Sequence, residues 1–164
     1  MNITYKVLEP KDSGDYRRIR LKSLKEHPDC FTAKYEEQVQ LERLYFERQI
    51  EIHSQEGFMV GAYSDGSLIG ICGFLEKSDY FDNAGTIIQM YVLPEWRKKG
   101  IGHGLVQLIK DIVTEKKTFA KIVLEVQPIN HSAIHVYEKA DFKKLSSSNE
   151  VEKPWIMVCD LNQS

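Results

Sequence analysis

Three cations, Arg97, Lys98 and Lys99, run directly into three glycines at alternate positions, Gly100, Gly102 and Gly104. An apolar stripe follows at steps of three and four residues: Ile101, Leu105, Leu108, Ile109, Ile112 and Val113. Such a stripe is one face of a helix, so the cations and glycines stand at its N-terminus. The first turn of a helix carries N–H groups with no intrahelical acceptor, at the positive end of its dipole. Glycines there let a bulky anion approach the backbone. The chemistry on offer is the holding of a phosphate or pyrophosphate. The dinucleotide fingerprint G-x-G-x-x-G is not met, because Leu105 stands where its third glycine belongs, and the G-x-x-x-x-G-K-[ST] loop is absent too. A plain glycine-rich turn with surface lysines has the same letters, so the assignment depends on the rest of the chain.

Glu125 is the second chemical signal. It interrupts the apolar run Ile122, Val123, Leu124, Val126, where a carboxylate is costly unless it is paired or functional. Strand alternation turns it away from the face of Leu124 and Val126. It is a candidate functional carboxylate; the other reading is a structural carboxylate paired with a neighbouring cation. His131 and His135 have a spacing that can bind zinc, but no third ligand accompanies them and no metal is expected. Cys30, Cys72 and Cys159 are odd in number and scattered, which points to a reducing cytoplasm and, for Cys72, to a small core residue. Asp29, Glu36 and Glu37 could line a site for a cationic amine, although acids favour the start of a helix in any case.

The elements that must position these residues follow from periodicity and breakers. Strands are expected over residues 3–8, 58–63, 68–75, 86–93, 121–126, 142–145 and 155–161. Helices are expected over 15–25, 36–52, 101–116 and 131–140. In the first, Tyr16, Ile19 and Leu24 point inward; in the second, Val39, Phe46 and Ile50 do. Asp12 or Ser13 is the expected N-cap of the first helix. Ser64-Asp65-Gly66-Ser67 carries a hairpin signal. A strand–helix–strand crossover through residues 101–116 requires parallel neighbours, whereas the hairpins are antiparallel. The fold class is therefore α/β, with a mixed sheet and helices on both faces.

Arg97-x-x-Gly100-x-Gly102 resembles the coenzyme A pyrophosphate motif, R/Q-x-x-G-x-G/A, of the GNAT superfamily of N-acetyltransferases. Asn130, Ala133, Tyr137 and Phe142 match that family's N-x-x-A-x-x-x-Y-x-x-x-G-F segment, and Asp141 stands in place of its usual glycine. The order of elements is similar to the bacterial-type single-domain fold over nearly the whole chain. The resemblance implies one N-acetyltransferase domain, 1–164, in which the central parallel strands, 86–93 and 121–126, splay apart at one end. It implies acetyl-CoA as co-substrate, with its pyrophosphate at Arg97, Lys98, Lys99, Gly100, Ile101, Gly102 and His103. The pantetheine would pair with the backbone of Met90, Tyr91 and Val92, and touch Asn130, Ala133 and Tyr137. Transfer would be direct, with Tyr137 protonating the leaving thiolate. Glu125 resembles the glutamate of L-E-V-x-x-x-N strands in ribosomal-protein alanine acetyltransferases, where it serves as base; Glu76 and a water relay are the rivals. The acceptor, an amine of a small molecule, peptide or protein, would be shaped by residues 28–37, 77–83 and 146–154.

The totals agree with such an enzyme. A chain of 164 residues with 42% hydrophobic and 28% charged residues suits one soluble domain with a real core. Twenty-two basic against 24 acidic residues give a net charge of −2, without the basic footprint of a nucleic-acid binder. The start is too short and polar for a signal peptide, and no apolar run reaches the ~20 residues that span a bilayer. A late strand could pair across a homodimer. Two rivals stay open: a catalytically silent acyl-CoA-binding or regulatory module on the same fold, and a nucleotide- or phosphosugar-binding α/β domain, which would leave Asn130 and Tyr137 without a role.

Overall fold

The computed structural model describes residues 2–54, 56–145 and 154–161. Among the described residues seven strands form one sheet: β1 (Ile3–Val7), β2 (Gly57–Ser64), β3 (Ser67–Leu75), β4 (Ala84–Val92), β5 (Lys121–Val126), β6 (Lys143–Lys144) and β7 (Trp155–Asp160). Their spatial order is β1-β2-β3-β4-β5-β7-β6. The β4–β5 pair is parallel, and the other neighbours are antiparallel. The helices are α1 (Ser13–Glu26), α2 (Tyr35–Gln38), α3 (Tyr45–Glu51), α4 (Ile101–Lys116) and α5 (His131–Lys139). The expected mixed sheet with helices on both faces is present.

Two apolar clusters sandwich the sheet. One joins Leu105, Val106, Ile109 and Val113 of α4 and Ala133 and Tyr137 of α5 to Ile122, Leu124 and Val126 of β5. The other joins Tyr16 and Ile19 of α1 and Phe46 and Ile50 of α3 to Met59, Ile71 and Tyr91. The β2–β3 turn has Asp65 at φ 48° and Gly66 at φ 82°, the pair of left-handed residues that a two-residue hairpin with matching twist requires.

The single helix expected over 36–52 is instead two short ones, and Val39 is exposed rather than buried. The cause is Arg17 on α1. Its guanidinium donates to the carbonyls of Val39, Leu41 and Glu42 and to the carboxylate of Glu47. Those carbonyls are held by a tertiary partner, and Glu47 accepts from the Leu44 amide at 2.8 Å to start α3 anew. Asp12 does precede α1, but its carboxylate caps the turn before it, accepting from the Glu9 amide at 2.9 Å and from Tyr63 Oη at 2.9 Å.

The sheet splits in its middle. β4 pairs with β5 only at Ala84, Gly85 and Thr86, opposite Lys121, Ile122 and Val123. Beyond that point β5 stays paired with β7 as far as Val126, and β4 stays paired with β3 as far as Val92. The β3–β4 register slips by one residue between Ile71 and Gly73, and Gln89 takes φ 59°. An extra residue bends the bulged strand and disrupts its ladder locally. The bulge thus lies where β4 leaves β5.

Candidate active site

After β4 the chain makes a 3-10 turn, Pro94–Trp96, and the Arg97 Nε donates back to the Val92 carbonyl at 3.2 Å. Lys98 at φ 62° and Gly100 at φ 80° then swing the backbone into α4. The Gly104 amide makes the helical bond to the Gly100 carbonyl at 3.0 Å. The amides of Ile101, Gly102 and His103 precede that first bond and have no acceptor within the helix. A Cβ added at Gly100 would meet nothing within 4 Å, so the loop opens to the outside. Three cations, open space and a helix start fit a pyrophosphate. The other two glycines serve packing as well. A Cβ at Gly102 would lie 3.3 Å from Val136 of α5, and one at Gly104 would lie 2.4 Å from the Tyr5 ring. Gly104 therefore lets α4 settle on β1, a role its place in the glycine run did not reveal.

Asn130 caps α5: its Oδ1 accepts from the Ala133 amide at 3.3 Å. Two turns on, Tyr137 is 5% exposed, with its ring 5.8 Å from that of Phe142. Burial holds its phenol well above the usual tyrosine range, with the nearby Cys72 adding to the effect. Tyr137 is thus a protonated donor throughout the neutral range. Asp141 adopts φ 71°, the left-handed conformation usually left to glycine, and the amide of Phe142 donates to the Tyr137 carbonyl at 3.0 Å. The departure from the family motif leaves the local turn intact. Cys72 is fully buried.

On the other face, a cleft of about 400 Å³ opens at the split. Its walls include Thr86 to Gln89 of β4, Val123 to Val126 of β5, residues 77–80, residues 30–33 and Arg20 of α1. Glu125 lies in this wall and accepts a hydrogen bond from the Tyr80 hydroxyl. That bond is the first cause that pushes the Tyr80 phenol up to about 12; burial is the second. The partner of Glu125 is therefore a phenol, and no ion pair involves it among the described residues. Glu76 is tied to Lys116 at 2.8 Å and is not part of the wall. Asp29, Glu36 and Glu37 lie outside it as well. Of the three segments expected to shape the acceptor pocket, 30–33 and 77–80 contribute, and so does Pro154; residues 146–153 lie outside the described residues.

The structure brings Met90, Gly102 and Val136 together, so the strand, loop and α5 parts of the motif set converge. Glu125 and Tyr137 do not share a surface. Glu125 faces the cleft, while Tyr137 belongs to the apolar cluster of the α4–α5 face, and strand alternation puts the split between them. Gln89 and Arg20 of the cleft escaped sequence reasoning, and Tyr80 was foreseen only as part of the segment 77–83. Gln89 carried the signal that exposed Glu125, a polar residue in an apolar strand; it accepts from Tyr16 Oη at 2.5 Å. Arg20 sits one turn after Tyr16, on the buried stripe of α1. His131 and His135 are exposed on α5, and no cluster of three potential metal ligands occurs among the described residues. No described helix is long and apolar enough to cross a membrane.

A mixed sheet split between its parallel strands, with a glycine-rich helix start after β4, is the arrangement that the resemblance implied. The profile of the acetyltransferase (GNAT) family matches residues 16–142, and the chain belongs to that family. A stretch of 61 residues is 36% identical to an N-alpha-acetyltransferase of Saccharolobus solfataricus, covering 37% of this chain and 36% of that relative. The match thus spans about a third of the relative's length. The PaiA N-acetyltransferase of Thermoplasma acidophilum in complex with coenzyme A superposes with a TM-score of 0.77 over 98% of this chain and 99% of that one, at 22% identity. YncA, a putative acetyltransferase of Salmonella typhimurium with acetyl-CoA, superposes with a TM-score of 0.75 over 100% and 96%, at 14% identity. At such identities the two structures speak for the fold.

Proposed function

We propose that this chain moves an acetyl group from acetyl-CoA directly to a primary amine held in the cleft at the sheet split. The observation that carries the reading is the split itself, with a buried phenol on one side and a carboxylate on the other. In direct transfer the amine approaches the thioester carbon as the sulfur departs. The attacking nitrogen must lose a proton and the departing sulfur benefits from gaining one. A base in the cleft and an acid on the opposite face meet both needs without competing for one proton.

Bound acetyl-CoA supplies the activated acyl group. Arg97, Lys98 and Lys99 and the amides around Gly100, Ile101, Gly102 and His103 hold its pyrophosphate. The edge of β4 that has parted from β5, at Met90, Tyr91 and Val92, offers backbone groups to the pantetheine and to the developing oxyanion. Asn130 and Ala133 border the same path at the start of α5. Tyr137 donates the proton to sulfur, and Glu125, oriented by Tyr80, accepts the amine's proton. The work is done by one domain spanning the chain. Its three cysteines are free, which fits a reducing, cytoplasmic setting.

Thiol release from acetyl-CoA across a panel of amine classes, run beside calorimetry with CoA, tests the reading. Amine-dependent thiol release is expected. CoA binding without turnover of any amine would make the chain a silent acyl-CoA module instead.

A further inference from the structure

Arg20 lies on the sheet-facing stripe of α1 and is 7% exposed. The other arginines of that helix are satisfied: Arg17 by Glu47 and three carbonyls, Arg18 by Asp15. Among the described residues Arg20 Nη1 has no hydrogen-bond partner although it is buried, and the guanidinium stacks over the Phe31 ring at 5.0 Å. A guanidinium does not shed its charge at ordinary pH, and a buried charge without a counter-ion is costly. Arg20 also lines the cleft that contains Glu125. The cost is removed if the missing partner arrives with the substrate.

We infer that the acceptor is a small amino acid, whose carboxylate pairs with Arg20 while its amine faces Glu125. The planar fork of arginine matches a carboxylate through two parallel hydrogen bonds. A cleft of about 400 Å³ is of small-molecule size. Its charged walls are Arg20 and Lys77 against Asp79 and Glu125. One buried cation balances a monoanion; a phosphate monoester would leave surplus negative charge beside those two acids. A protein N-terminus would bring a neutral peptide amide to the place where Arg20 lacks a partner. This inference rests on the amine-transfer reading and names its substrate class.

The test uses free amino acids and their carboxamides on the CoA-saturated protein, by calorimetry and by turnover. The acid should bind more tightly than its amide and give a kcat/KM higher by on the order of 10- to 100-fold, the range for a charge-assisted hydrogen-bonded pair. Arg20→Met should bring the acid down to the level of its amide, and Arg20→Lys should restore part of the preference, with CoA affinity unchanged in both. Equal binding of acid and amide by the wild type overturns the inference. So does an Arg20→Met protein that keeps the preference, or a panel in which only peptide N-termini are acetylated. If neither variant folds, the wild-type acid-to-amide ratio decides alone. Selective binding of the acids without any transfer would refute the transfer reading and leave the Arg20 site standing.

Discussion

Tyr137→Phe separates chemistry from structure, because it deletes one oxygen and keeps the ring. The side chain is 5% exposed and its ring stays 5.8 Å from Phe142, so packing on the α4–α5 face is retained. The loss of one hydroxyl should cost at most about 1 kcal/mol of stability. The effect on rate should be far larger. A thiolate leaving at the partly dry split is poorly solvated, and a general acid is typically worth about 10²–10⁴-fold, or roughly 3–5 kcal/mol of barrier. Burial keeps the phenol protonated well above its ordinary range, so the donor is present throughout neutral pH. Single-turnover kinetics with acetyl-CoA and a competent amine should therefore show kcat down by that factor, with acetyl-CoA affinity and thermal midpoint nearly unchanged. The deficit should shrink with an acyl donor whose leaving thiol is more acidic. Near-normal single-turnover rates in the variant would refute the assignment.

Glu125→Gln keeps an acceptor for the Tyr80 hydroxyl; it should lower kcat/KM and change the acid limb of its pH profile while CoA binding stays intact, and full activity with an unchanged profile would hand the role to water. Gly104→Ala puts a Cβ 2.4 Å from the Tyr5 ring and should cost about 1–3 kcal/mol in urea denaturation without weakening CoA binding by the folded protein. Gly100→Ala forces a side chain into φ 80° at the open loop and should weaken CoA binding instead; the reverse pattern would relocate the phosphate site. Burial raises Tyr16, Tyr137 and Cys72 above their ordinary values. Their neutral forms are favoured in the folded chain, so their contribution is whole below the unfolded values of about 8.5 for Cys and 10 for Tyr. Above those values the unfolded chain ionises while the folded one does not, and stability falls by about 1.4 kcal/mol per group per pH unit. Thermal midpoints from pH 7 to 11 should hold to about pH 8 and then drop; a flat profile to pH 11 would contradict the buried neutral groups.

Local signals carried most of the fold. The Asp65-Gly66 turn, Pro94 and the stripe of α4 are encoded within a few residues of where they act. β5 matches its sequence-expected span of 121–126 and α4 its span of 101–116. What the sequence concealed was tertiary. Arg17 reaches across to hold the carbonyls of residues 39–42, and nothing near those positions announces it. The bulge at Gln89 arises from a register slip between strands, which periodicity within one strand does not record. The site divides in the same way. The start of α4 after Gly100 was legible because a helix start is a local chemical pattern. The cleft was legible only in its loop segments, 28–37 and 77–83, because Arg20 and Gln89 come from other elements and meet those loops only in space.

The most direct test of amine acetylation is product identity. The protein should be incubated with acetyl-CoA carrying an isotope-labelled acetyl group and a mixture of small amino acids, their amides and short peptides, followed by mass spectrometry of the products. The account predicts labelled acetyl on the nitrogen of the amino acids, one free thiol released per acetyl transferred, and loss of the product with Tyr137→Phe. Thiol release with no labelled amine would contradict it.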